Sequence, residues 1–134
     1  MSDAAAAADL ARLDQVRTDL LRVHRALLET ERARYEAARE PIPNNSAFLQ
    51  LVINDPWFEW LRPMAQLVLL IDERTMDKKV KVAADEAADL YRRGRALLEP
   101  NAEGDSFQRL FAEAVGHSRN LAVMVHQVNV AYDV

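Results

Sequence analysis

The chain has 134 residues and no Cys, is half hydrophobic and 28% charged, and carries a net charge of −4 with both signs interleaved. That length suits one domain, which can bury roughly two-thirds of the surface its unfolded chain exposes. The lack of Cys excludes disulfides, thiolate metal sites and Cys nucleophiles, and without a basic cluster no nucleic-acid partner is expected.

The opening MSDAAAAADLARLD has neither the basic start nor the apolar run of a signal peptide. Residues 1–8 read as a helical lead-in or frayed arm of a single domain spanning 1–134. The longest strongly apolar run, Leu67 to Ile71, falls far short of the roughly 20 residues that cross a membrane. No membrane partner is expected, and a cytoplasmic location is the default. Gly is scarce while Ala, Leu, Glu and Arg are abundant, which favours helix, and no alternating stretch flanked by turn signals suggests a strand.

The first helix is predicted over Asp9 to Arg39. Leu13, Val16, Leu20, Val23 and Leu27 form one apolar stripe, and Leu21, Leu28 and Tyr35 a second. Pro41 and Pro43 in EPIPNN end the helix. Ser46 can cap a short helix, Ala47 to Asn54, that is apolar on nearly every side. In NDPWFEWLRP, Asp55 suits an N-cap and Pro56 the first helical position. That helix runs to about Glu73, with Trp57, Phe58, Trp60, Leu61, Met64, Ala65, Leu67, Val68 and Ile71 on one face. Pro63 should kink it by removing the bond to the Glu59 carbonyl.

The apolar sector jumps between Ile71 and Met76 on the helical wheel, which places a tight turn around Glu73 to Asp77. A third helix follows from Thr75 to Glu99, burying Met76, Val80, Ala83, Ala84, Ala87, Leu90, Tyr91, Gly94, Leu97 and Leu98. PNAEGD is a loop, Ser106 or Asp105 caps the last helix, and Gly116 with Ser118 marks a stop and restart. The expected architecture is all-α, an up-down-up-down four-helix bundle with a broken, Pro-kinked second helix.

RALLETERARYE, LQLVINDPWFEWLRPMAQLVLLIDE and LLEPNAEGDSFQRLF, taken in order, resemble a bacterial family of small helical proteins. They cover about half the chain. The family has no established activity, so the resemblance implies a fold type and no chemistry. Its final helix carries an Ala-His pair where this chain has Val125-His126.

Arg17, His24 and Glu31 stand seven apart between the two stripes of the first helix. Such a polar ladder is either a ligand site or a hydrogen-bonded network that fixes helix register. Asp72 is the one charge on the buried face of its helix. A bundle di-iron site needs Glu-x-x-His on two helices, which this sequence lacks. A single metal on His24 with Glu31, His117 or Asp72 is a weaker alternative than none. His117 and His126 fall on opposite sides of a straight helix. Ser46, Ser106 and Ser118 sit where capping explains them, and no phosphate loop or nucleophile elbow occurs. No cofactor, metal or catalytic residue is therefore assigned.

Two functions remain. The first is a non-enzymatic interaction or structural module, a homodimer or the partner of another protein. Phe48, Leu51, Val52, Leu69 and Leu70 would supply the surplus apolar face of its interface. The second is a small-molecule or metal-binding bundle with a polar pocket near Pro63, served by Arg17, His24, Glu31 and Asp72. Convergence of those four on one cavity favours the pocket, and separate pairing favours the module.

Overall fold

The computed structural model describes residues 6–77 and 79–133. Among them it contains no β-strand and seven α-helices: α1 (Ala7–Ala38), α2 (Asn45–Asn54), α3 (Pro56–Glu59), α4 (Arg62–Met76), α5 (Ala84–Leu97), α6 (Ser106–Gly116) and α7 (Arg119–Tyr132). The fold is all-helical, but seven helices replace the four segments expected, because every punctuating residue in the sequence breaks the chain fully. Of the suspected arm, residues 1–5 lie outside the described residues, while Ala7 and Ala8 already belong to α1.

Thirty-two residues without Gly or Pro make α1. Its first stripe, Leu13, Val16, Leu20, Val23 and Leu27, is fully buried. The second stripe splits: Tyr35 is buried and Leu28 half-buried, whereas Leu21 is exposed. At the start of α2 the cap is Asn44 rather than Ser46. Asn44 is extended, and its Oδ1 accepts from the Ala47 amide at 2.8 Å, so Ser46 falls inside the first turn.

Asp55 caps α3 by accepting from the Trp57 amide at 2.9 Å, with Pro56 at the first helical position. The expected kink at Pro63 is a complete break. Pro63 cannot donate to the Glu59 carbonyl and its ring crowds that group. The chain instead closes tighter turns, Leu61 N–H to Phe58 O at 3.1 Å and Met64 N–H to Leu61 O at 3.2 Å. Pro63 then sits in the first turn of α4, where its missing donor costs nothing.

The third helix begins later than its periodicity implies. α4 continues to Met76, and Asp77 forms an Asx turn by accepting from the Lys79 amide at 3.0 Å. Met76 and Val80, expected inside, are exposed, and Val82 anchors the connection in the core. Ala84 is exposed as well. α6 opens with a capping box between Asp105 and Gln108, and Ser118 caps α7 by accepting from the Leu121 amide at 3.2 Å. The stop at Gly116 and restart at Ser118 thus occur where the sequence places them.

Named contacts fix the directions of the elements. Arg17 meets Asp72 and Glu31 meets Trp60, so α4 runs antiparallel to α1. Arg74 meets Glu86 at 2.6 Å, where α5 turns back. Arg34 meets Glu113 and Asp19 meets Tyr132, so the chain runs back along α1 from α6 to the end of α7, with α7 antiparallel to α1. The core between them holds Phe58, Leu61, Met64, Leu98, Phe111 and Leu121 along with the α1 stripe.

α5 approaches α1 at Gly94. A Cβ there would lie 2.7 Å from Val16 Cγ2 and 3.1 Å from Cγ1. Val16 is fully buried and stiff at χ1, so it has nowhere to move. Gly94→Ala should gain about 1 kcal/mol of helix propensity and lose more, ~1–3 kcal/mol, to overpacking. The expected result is a net loss in denaturant melts, relieved when Val16→Ala is added. Increased stability of the single variant would show that the helices can move apart freely.

Candidate functional site

The four polar residues singled out by the sequence separate into two pairings and a lone His. Arg17 holds Asp72 in a two-pronged contact, with Nη2 to Oδ2 at 3.2 Å, and both side chains reach partly to solvent. The hydrogen bond to Asp72 raises the Arg17 pKa further. About four turns away along α1, Glu31 is buried on a different set of partners. Its Oε2 accepts from Arg34 at 2.9 Å and its Oε1 from the Trp60 indole N–H at 3.3 Å. Arg34 also reaches Glu113 of α6 at 3.0 Å. His24 lies between them, half-buried, and burial lowers its pKa.

These contacts give NDPWFEWLRP a structural content. Phe58 and Leu61 are the buried members, while Trp57, Trp60 and Arg62 are half-buried and Ala65 is exposed. Trp57 packs edge-on against Tyr35 at 5.6 Å, and Trp60 lies 5.6 Å from Phe107 of α6. Arg62 donates to the Ile53 carbonyl, tying the start of α4 to the end of α2.

Periodicity alone missed a second polar node. Asp19 is buried and accepts from the Tyr132 hydroxyl at 2.7 Å and from Gln15 at 3.1 Å. The Arg95 guanidinium lies over the Tyr132 ring at 4.3 Å. Asn129 Nδ2 donates to the carbonyl of Leu98, at the end of α5, at 2.9 Å. The signal for Asp19 was present: it occupies a stripe position, three after Val16 and four before Val23. Its partner is 113 residues away, beyond any sequence pattern.

Burial, then the hydrogen bond to Asp19, raise the Tyr132 pKa well above the ordinary tyrosine value. The folded state therefore holds this proton more tightly than the unfolded chain does. The associated stability is complete below about pH 10 and is lost as pH rises beyond it. Tyr132→Phe should remove that alkaline loss and cost ~1–2 kcal/mol at neutral pH, given the charged acceptor and the partial exposure of the ring. Melting curves from pH 8 to 11 check this. An identical alkaline decline in the variant would show that Tyr132 does not cause it.

The expected interface residues divide in a similar way. Phe48, Leu51, Val52 and Leu70 are half-buried against the protein's own core, and Leu69 is 59% exposed. On α2 the free apolar residues are instead Leu49 and Ile53, 56% and 52% exposed and one turn apart. No residue of α2 is fully buried. On α4, Leu69 and Met76 follow Arg62 at intervals of seven, which places them on the face that Arg62 shares with Ile53.

Beside α2 lies a cleft of about 460 Å3 between EPIPNN and the NDP corner, with Tyr35, Ile42, Leu51 and Pro56 among its walls. A second of similar size runs between α1 and the α6–α7 junction, where exposed His117 and half-buried Ser118 border Ala26, Ala33 and Met124. At Pro63 a groove of about 430 Å3 is lined by Gln66, Leu67, Leu70, Arg93, Ala96 and Leu97. None of Arg17, His24, Glu31 and Asp72 lines it. Among the described residues no three of His, Asp and Glu stand together so as to hold a metal ion. No described helix is long and apolar enough to cross a membrane.

Comparison with family models, with curated proteins and with solved structures gives no match to this chain.

Proposed function

We propose that this protein is a non-enzymatic, cytoplasmic interaction module that pairs with a second copy of itself through the outer face of α2 and the adjoining face of α4. In this reading α1, α2–α4, α5 and α6–α7 are the four legs of an up-down-up-down bundle, and α2 is the leg's outward step. The resemblance to a bacterial family of small helical proteins belongs to the same reading and contributes no activity to it.

The observation that carries the proposal is an apolar strip on α2, Leu49 and Ile53 one turn apart, with Leu69 exposed on α4. All three side chains are more than half exposed, and α2 has no buried residue of its own. Contiguous exposed apolar surface marks interaction sites. The four polar residues that could have formed a central ligand site also support it. Arg17 and Asp72 satisfy each other, Glu31 is satisfied by Arg34 and Trp60, and none of the four lines any of the clefts described above.

Light scattering at micromolar concentration should give twice the chain mass. Leu49→Glu combined with Ile53→Glu should return it to one chain mass without lowering the melting temperature, because both side chains are already exposed. A wild-type protein that stays at one chain mass throughout the micromolar range removes the proposal.

A further inference from the structure

We propose that the cleft between EPIPNN and the NDP corner binds a primary amine or guanidinium group carried on an apolar stem. This inference is independent of self-association, which uses the opposite face of α2. The cleft's volume, about 460 Å3, lies within the range of small-ligand sites.

Its walls are preformed. Pro41, Pro43 and Pro56 each fix a backbone angle. Ile42 between the first two is buried, and its amide donates to Glu36 at 2.8 Å. Asn44 and Asp55 cap the helices on either side through bonds of 2.8 and 2.9 Å. Little chain entropy remains to be lost on binding, which favours affinity.

The lining has an apolar floor and an anionic rim. Ile42, Ala47, Leu51 and the proline rings give the floor. Glu40 and Asp55 give the rim, and no Lys or Arg lines the cleft. Neither carboxylate has an ion-pair partner among the described residues. An ionised carboxylate only accepts hydrogen bonds, so the rim selects donors and repels anions.

Tyr35 supplies a further, independent observation. The residue is only 5% exposed and lines the cleft. Its hydroxyl is neither sealed in the core nor hydrogen-bonded to another described residue. A buried tyrosine normally finds a partner for its hydroxyl, and as a wall of the cleft Tyr35 can take one from a bound ligand. Arg39 stands nearby, but its guanidinium lies over the rings of Tyr35 and Trp57, at 5.6 and 5.7 Å, rather than in the cleft. A cation with an apolar stem satisfies the rim, the floor and the hydroxyl together; an anion is repelled by the rim, and a neutral alkane satisfies the floor alone.

The same chemistry is offered by a free alkylamine and by a Lys or Arg side chain of another protein, and the test has an arm for each. Backbone amide spectra of the full chain are recorded with n-hexylamine, hexan-1-ol, hexanoate and an acetylated, amidated Ala-Arg-Ala peptide. Hexylamine or the peptide should give saturable shifts at Ala47, Leu51 and Asn54. Hexanol should bind at least tenfold more weakly, and hexanoate should give no shift at these positions. A response to the peptide alone assigns the source to a partner protein, and a response to hexylamine shows that the free amine suffices. Glu40→Gln with Asp55→Asn keeps the cap, since Asn caps as well as Asp, and should weaken binding at least tenfold. Should that pair fail to fold, Glu40→Gln alone should weaken binding measurably, because Glu40 is exposed and makes no ion pair that folding depends on. Equal binding of hexylamine and hexanol, unchanged binding by the charge-removed variants, or no cleft response to either cation overturns the proposal.

Discussion

Phe58→Ala should lower the stability of this protein by about 3–5 kcal/mol, the range for removing a large aromatic ring from a packed core. That is a large share of the 5–15 kcal/mol available to a domain of this size. Phe58 is almost fully buried, with its ring 5.8 Å from Tyr35 and 5.6 Å from Phe48. It therefore joins α3 both to the end of α1 and to α2. The two tryptophans beside it look more prominent in the sequence, yet both are half-buried. Trp57→Ala should cost less than Phe58→Ala, because part of its ring already faces solvent. Urea melts of the two variants give the ranking, and a larger loss for Trp57→Ala would contradict the role assigned to the motif.

The second large effect is expected at Glu31. Glu31→Ala leaves the Trp60 indole N–H and one side of Arg34 without their acceptor. Removing one partner from a buried pair costs ~3–5 kcal/mol. Here about 2–3 kcal/mol is expected, because Arg34 keeps Glu113 and is partly open to water. Glu31→Gln retains an acceptor for Trp60 and should cost roughly half as much. Melts of the two variants, with tryptophan emission recorded alongside, test this. Equal losses for Ala and Gln would mean that charge, and not the hydrogen bond to Trp60, carries the effect.

Much of the helical plan was legible because it depends on local chemistry. The α1 stripe, the Asp55–Pro56 start and the Ser118 restart all follow from periodicity and capping, which act over a few residues. Pro63 was legible as a disturbance but not as a full break. That outcome depends on whether the core holds Phe58 and Leu61 in turns that close without the Glu59 bond. The start of α5 was misplaced because Met76 and Val80 continue a helical pattern while Asp77 ends the helix with its own side chain. Such competition between a side-chain turn and a helix is decided by tertiary context.

The polar groups were legible singly and not as pairs. Arg17, Glu31 and Asp72 could be picked out by their positions on apolar faces, but their partners come from other helices. Glu31 finds Trp60 across 29 residues, and Asp19 finds Tyr132 across 113. The interface residues show the same limit. A helix that is apolar all round gives no indication of which side the rest of the chain covers. The structure settles that Phe48, Leu51 and Val52 face inward and that Leu49 and Ile53 do not.

Self-association through α2 is the central claim, and the absence of Cys from the sequence allows a direct test. Asn45→Cys introduces one labelling site at the start of α2, on an exposed residue outside the apolar strip. Arg92→Cys introduces one on α5, beside the N-terminal half of α1 and so at the far end of the molecule. Each variant carries a nitroxide, and the dipolar coupling between chains is measured in frozen solution. Pairing through α2 predicts clear intermolecular coupling between labels at 45 and none between labels at 92. Coupling at 92 without coupling at 45, or no coupling at either position, would contradict it.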